Sequence, residues 1–302
     1  MDLFRTSLLA ANLVAAAIAP AWAGATTLTT AHGPVEIVRT PETVLTFDIG
    51  TLDTLDALEV AVAGVPDPIL LPTLAHLQES GLPKIGTLFE PDFEQVFALH
   101  PDLIIIGARS AGQMDPLSKI APTVDLTLPL DDLENAVVTQ TRELSALFGK
   151  EEKGAELTAH LQDSLQTLRA LVEGKGRALI VLTNGPKISA YGRGSRFGWI
   201  HDSLGVAPAI EDLEVSTHGE AVSFEFLHET NPDWLIVLDR GAAIGADSQS
   251  AQATLDNELV ASTTAMQKGQ VIYLNAADVY VATTGIRSFQ RTVDQFLTAF
   301  GG

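Results

Sequence analysis

The chain has 302 residues, with 18 lysines and arginines against 38 aspartates and glutamates, a formal net charge of −20, no cysteine and 46% hydrophobic residues. Without cysteine there is neither a disulfide framework nor a cysteine-ligated zinc site, and so few bases leave no patch for nucleic acid. The apolar content excludes disorder, the length suits about two domains, and the net charge taken alone argues against an anionic partner.

Residues 1–23 read as a secretory signal peptide. Arg5 supplies a weak positive start, Ser7 to Ala19 is apolar but too short to span a bilayer comfortably, and Ala21-Trp22-Ala23 offers the small-x-small pattern of a cleavage site. No cysteine follows that could carry a lipid, and no later stretch approaches the roughly 20 apolar residues of a membrane helix. The expectation is a soluble, unanchored periplasmic monomer.

From residue 35 to about 128, short β-branched or apolar runs alternate with helical patterns. Strands are predicted at Val35–Val38, Val44–Phe47, Val60–Val65, Leu103–Ile106 and Thr123–Asp125, with helices at Thr51–Leu58 and Asp92–His100. This alternation predicts an α/β lobe with a mainly parallel sheet. Asp131-Asp132-Leu133-Glu134 opens a helix that closes near Phe148-Gly149. A second helix runs from Lys150 to Val172, with Leu157, Leu161, Leu165, Leu168 and Leu171 at helical spacing; it would be roughly 35 Å long, a strut joining two lobes. Beyond it the alternation resumes, with strands at Ala178–Thr183, Trp234–Leu238 and Val271–Leu274 and a closing helix at Ser288–Phe300. The division predicted is an N-terminal lobe over 24–148, a connecting helix over 149–175 and a C-terminal lobe over 176–302.

An internal echo supports two lobes. FEQVFALHPDLIII at 93–106 and FEFLHETNPDWLIV at 224–237 share Phe-Glu, six residues, Pro-Asp, one residue, then Leu-Ile. A short helix ended near proline and feeding a buried strand is a common unit; two copies flanking a long helix suggest duplicated, pseudo-symmetric lobes.

Nucleophile elbows, phosphate loops and His-x-x-x-His spacings are missing, so neither a hydrolase nor a preformed zinc site is well supported. The few arginines are distributed more informatively. Arg109 follows the strand Leu103–Ile106, Arg240 follows the matching strand in the second copy, and Arg193 and Arg196 lie in the glycine loop after Ile188–Tyr191. Loops beyond the carboxyl ends of strands form the ligand crevice of open α/β sheets, so arginines from both lobes are expected to face one cleft.

Several motifs together resemble the periplasmic ferric-siderophore-binding proteins of ABC importers, and within them the catecholate branch. They are Gly86-Thr87-Leu88-Phe89-Glu90-Pro91-Asp92, Val181 to Gly185, Lys187 to Gly192, Gly194 to Gly198, His218-Gly219, Val222 to Glu225 and Asn231-Pro232-Asp233. The resemblance covers nearly the whole chain after residue 23. It implies two α/β lobes joined by one long backbone helix with the ligand cleft between them, a binding protein and not an enzyme, no intrinsic cofactor, and Fe(III)-siderophore as the ligand.

The resemblance also implies residue roles. Arg109, Arg196 and Arg240 would surround anionic catecholate oxygens; His218 and Tyr280 would complete the iron shell when the siderophore leaves two positions open. Guanidinium offers fixed, always-charged donors, and a phenolate oxygen suits hard Fe(III). Tyr280 could instead be a packed strand residue by the alternation of Asp278 to Val281, and this sequence departs from the family in having Val279 and Thr283-Thr284-Gly285 around it. Arg193 and Arg287 have no assigned role, and Phe197 and Trp199 belong either to the pocket or to the core. Glu94 and Glu225, in the duplicated Phe-Glu pairs, would dock the lobes onto arginines of the inner-membrane permease, with Glu90 a competing candidate. Rival readings are a binder of haem, cobalamin or a hydroxamate siderophore, an exported α/β hydrolase using Ser195, and a metal-ion binder using His218, His201 and acids.

Overall fold

The computed structural model describes residues 25–213 and 219–302. The signal segment and His218 lie outside the described residues.

Ten strands form three sheets: β1 (Thr26–Thr30), β2 (Gly33–Ile37), β3 (Val44–Thr46), β4 (Leu103–Ile106), β5 (Thr123–Asp125), β6 (Ala178–Asn184), β7 (Lys187–Tyr191), β8 (Glu220–Val222), β9 (Trp234–Asp239) and β10 (Val271–Tyr273). β1 and β2 make a hairpin, β3-β4-β5 a parallel sheet, and β10-β9-β6-β7-β8 a mixed sheet in which β7 and β8 run antiparallel. The parallel strands are continuous apolar runs because both sheet faces are covered; all of Leu103 to Ile106 and Ala178 to Thr183 is buried. The fold is the expected mixed α/β architecture, with a wholly parallel sheet before the long helix in sequence and, after it, a mixed sheet that is parallel over β10-β9-β6.

The echoed segments occupy equivalent places. Each makes a short helix, Phe93–Ala98 and Phe224–Thr230, and then an interior strand of its sheet: β4 pairs in parallel with β3 and β5, and β9 with β6 and β10. Proline breaks the helix and the apolar run that follows has both neighbours to pair with.

Between the sheets lie the helices Leu133–Leu147 and Glu151–Val172; the latter, 22 residues long, spans about 33 Å at 1.5 Å per residue. Its buried stripe of Gly154, Thr158, Leu161, Leu165, Leu168 and Val172 faces the closing helix Ile286–Gly301 and Leu133–Leu147. Gly154 permits the close crossing, since a Cβ there would stand 2.3 Å from Ser145 Oγ.

Two expectations are corrected. Val60–Val65 makes no strand: it forms single bridges, Leu45 with Gly64 and Val65 with Lys84, because Pro66 follows at once and cannot donate to a ladder. Tyr280 is not a strand residue but ends the short helix Ala276–Tyr280, where Asp278 turns inward to a half-buried cation and not outward as strand alternation would have it.

That cation is Arg291 on the closing helix. It reaches Asp278 at 2.5 Å and Asp53 at 3.3 Å, two carboxylates that are 1% and 0% exposed. Asp53 comes from the first helix, Ile49–Ala57, and its other oxygen accepts from Ser288 N at 2.9 Å. Burial pushes the Asp53 carboxyl above its usual range, an effect that Arg291 partly offsets. Beside it, Thr54 Oγ1 accepts from Ile286 N, Asp56 accepts from Arg287, and Gly50 lies so close that a Cβ would sit 2.0 Å from Thr284 Oγ1. The first helix is thus latched to the start of the closing helix.

Replacing Arg291 with Met leaves two buried carboxylates without their cation, and should lower unfolding free energy by about 3–5 kcal/mol. The measurement is the urea midpoint, and adding Asp53→Asn to that variant should recover part of the loss, since the amide oxygen still accepts from Ser288 N.

Candidate functional site

A cleft of about 490 Å³ lies between the loops that follow the parallel strands β3, β4 and β5 and segments that follow β7 and β10. One wall is made of Asp48 after β3, Ala108 and Arg109 after β4, and Leu126 to Leu130 after β5. The other is made of Gly194-Ser195-Arg196 and of Tyr280, Val281, Thr283 and Thr284. Arg109 comes from one side and Arg196 from the other, as the crevice argument expected.

The arginines converge on Tyr280. Arg109 Nη2 and Arg196 Nη2 each donate to its carbonyl oxygen at 2.7 Å, and Arg240 Nε donates to its hydroxyl at 3.1 Å. The three Cζ atoms lie 5.0, 4.1 and 5.9 Å from its ring centroid, within cation–π range. The carbonyl is available because Tyr280 ends its helix, where backbone oxygens have no intrahelical partner and the dipole is negative. Arg240 is rooted by Asp239, which caps the short helix after β9 through Ala242 N at 3.0 Å, and its Nη1 reaches Asn184 Oδ1 at 3.4 Å. Arg240 stands behind the tyrosine; the described cavity wall does not include it. Arg196 follows β7, which leaves the sheet level with Ile180 in the body of β6, so the glycine loop and not a parallel strand end delivers it.

Arg39, Arg169, Arg193, Arg287 and Arg291 each pair with a carboxylate, whereas Arg109, Arg196 and Arg240 make no ion pair among the described residues, Asp48 across the cleft wall acting on Arg109 through its charge alone. The consequences are electrostatic. Burial, reinforced by the like charge of Arg196, lowers the pKa of Arg109. For Tyr280, burial opposes ionisation, but the Arg240 hydrogen bond and the charges of Arg196, Arg240 and Arg109 outweigh it, and the phenol lies below its ordinary value of 10.0. Tyr191 and Tyr273 are shifted the other way, each chiefly by burial.

Asp48 is a lining residue that sequence reasoning missed. Its Oδ2 caps the first helix through Thr51 N at 2.7 Å and Thr51 Oγ1 at 3.0 Å, and burial pushes its carboxyl up against those hydrogen bonds. The available signal was Asp48 three residues before Thr51 at the start of an apolar helix, which reads only as a cap. The apolar wall of Leu126, Leu128 and Leu130 was also missed, because an irregular segment has no periodicity to betray it.

Other residues singled out in the sequence are accounted for elsewhere. Arg193 pairs with Asp202 and with Glu211 at 3.5 Å, and Arg287 with Asp56 at 2.6 Å. Phe197 and Trp199, 1% and 2% exposed, belong to the core. His201 is buried, bonded through Nδ1 to Val206 O at 2.8 Å and held below its usual pKa chiefly by burial; no group of metal-ligating side chains occurs among the described residues. Ser195 is buried and donates to Gly192 O at 2.6 Å, a turn bond. Glu94 and Glu225 are both exposed second residues of the echoed helices, capped by Asp92 through Gln95 N and by Ser223 through Phe226 N.

Among the described residues no helix is long and apolar enough to cross a membrane. Residues 46–277 match the family described as periplasmic binding protein. The petrobactin-binding protein YclQ of Bacillus subtilis is 37% identical over 263 residues, covering 86% of this chain and 83% of that protein, and its crystal structure superposes with a TM-score of 0.87. The ferric-anguibactin-binding protein FatB of Vibrio anguillarum is 29% identical, covering 89% of this chain and 85% of its own length. The periplasmic catecholate-siderophore binding protein VctP of Vibrio cholerae has a TM-score of 0.85 at 28% identity, covering 91% of this chain and 99% of that one. By sequence over most of its length and by fold, the chain belongs to the periplasmic binding protein family, among relatives that serve siderophores.

Proposed function

We propose that this chain captures a ferric catecholate-type siderophore in the periplasm and hands it to an ABC permease of the inner membrane. The observation that carries the reading is the set of three arginines, free of described carboxylate partners, gathered around Tyr280. Ferric catecholates are polyanions, and guanidinium forks are suited to their oxygens. The Tyr280 carbonyl holds two of those guanidiniums ready, and an entering anion would exchange that neutral acceptor for charged ones. The cleft volume is ordinary for a small-molecule site.

The iron is cargo. Where the siderophore supplies fewer than six donors, Tyr280 as phenolate and His218 would fill the remaining positions, and the depressed phenol pKa makes the oxygen cheaper to ionise. Binding without catalysis fits Ser195, whose hydroxyl is spent on a turn. Lobes over 24–148 and 176–302, joined by the helix within 149–175 and by the Asp53 latch, would allow only modest closure. A cleavable signal over 1–23 would direct the protein to the periplasm. In delivery, the exposed Glu94 and Glu225, one on each echoed helix, would meet basic residues of the permease.

Three outcomes are expected. In an ultraviolet titration of tyrosinate, the first phenol of the three tyrosines should ionise below pH 10.0; Tyr280→Phe should delete that phase, and Arg240→Met should move it to higher pH, because the raised pKa leaves less phenolate at any given pH. In fluorescence titrations against ferric bis-catecholate, ferric tris-catecholate, ferric hydroxamate and haem, the catecholates should bind best. Arg109→Ala or Arg196→Ala should then weaken them roughly 10- to 100-fold, the worth of about 1.5–3 kcal/mol per charged hydrogen bond, and His218→Ala with Tyr280→Phe should weaken the bis-catecholate complex far more than the tris-catecholate one. Tight binding of haem alone would overturn the reading. Finally, Glu94→Ala with Glu225→Ala should abolish iron uptake in cells while leaving ligand affinity intact.

A further inference from the structure

The first lobe carries an apolar surface that neither its core nor its cleft uses. Phe89, Phe93 and Phe97 are 57%, 40% and 61% exposed, half of the large exposed apolar side chains of the described residues and all within nine positions. Phe93 and Phe97 are four apart on the helix Phe93–Ala98, so they share a face, and the Phe97 ring leans on His100 at 5.8 Å between centroids. Glu94 lies between them in sequence.

Phe89 is held out on a structured turn. Thr87 N donates to Glu90 O at 2.9 Å, Thr87 Oγ1 accepts from Phe89 N and Glu90 N, and Gly86 bridges Pro91. Its carbonyl accepts from Gln113 Nε2 at 2.9 Å, and Gln113 belongs to the loop that begins with Arg109. The patch stands on hydrogen-bonded backbone, and three exposed acids, Glu90, Asp92 and Glu94, lie among the rings in sequence.

The equivalent face of the second lobe differs. Phe224 and Phe226 flank Glu225 but pack against the core beneath β9, leaving the acid on a face without exposed rings. The two echoed helices thus offer like charges and unlike apolar surface.

We infer that Phe89, Phe93 and Phe97 form the apolar centre of a docking surface for a permease surface of basic rim and apolar tip, and that they make docking directional, first lobe to one side. The inference rests on the delivery reading above. Charge selects this occupant: a second copy of the chain would set the same three acids against themselves, and an anionic lipid surface would repel them, whereas basic groups around an apolar insertion satisfy both features. Exposed aromatic clusters of this kind mark interaction sites.

The test uses cells lacking their own copy and complemented with the full chain carrying Phe93→Ser/Phe97→Ser, Phe89→Ser, or Phe93→Leu/Phe97→Leu. The serine variants should bind ferric siderophore as the parent does, yet support uptake at least tenfold lower at limiting binding protein, with the leucine variant near parental. Parental uptake by the serine variants overturns the inference, as does a self-association of the parent in sedimentation velocity, or a binding to phosphatidylglycerol vesicles, that those variants abolish. Uptake that survives the serine changes but not Glu94→Ala/Glu225→Ala sinks the patch and leaves delivery standing; a parent that binds no ferric siderophore removes the functional reading itself. Should a serine variant lose siderophore affinity, Phe93→Lys/Phe97→Lys replaces it, with the same loss of uptake expected.

Discussion

Three guanidiniums held close together without a described carboxylate are costly, because their charges repel and burial withdraws the water that would screen them. In this chain the debt is met by a single residue. The Tyr280 carbonyl accepts from two arginines, its ring lies in reach of all three, and its hydroxyl takes the third. A neutral carbonyl and a phenol discharge such a cluster incompletely, which is why the tyrosine's ionisation is eased. The rest of the molecule serves to keep those groups in register.

Much of that register comes from the latch. Asp278 and Tyr280 are two residues apart on one short helix, and Asp278 is clamped by Arg291, which also holds Asp53 from the first helix. The carbonyl that gathers Arg109 and Arg196 is therefore fixed relative to both sheets. Close packing of Gly50 on Thr284 at the same junction leaves little slack for a hinge.

Net charge and local charge give opposite advice here. A chain at −20 suggests aversion to anions, but charges interact through salt solution over only about 8–10 Å, and three guanidiniums lie directly against Tyr280. The acidic remainder governs solubility and the outer faces, including the acids that surround Phe89, Phe93 and Phe97.

By itself the amino-acid sequence determined the elements and their grouping. Continuous apolar runs, a leucine stripe at helical spacing and the repeated Phe-Glu to Pro-Asp unit are local patterns, and local patterns follow from burial and periodicity alone. It also located Arg109, Arg196, Arg240 and Tyr280 along the chain. Tertiary structure decided what each arginine meets: whether a guanidinium finds an acid, as Arg193 and Arg287 do, or a tyrosine carbonyl far along the chain, depends on contacts between residues as many as 231 positions apart. It likewise decided that Tyr280 would end a helix, beside an Asp278 that shares Arg291 with Asp53, whereas the failure of Val60–Val65 to complete a strand follows from Pro66 next to it.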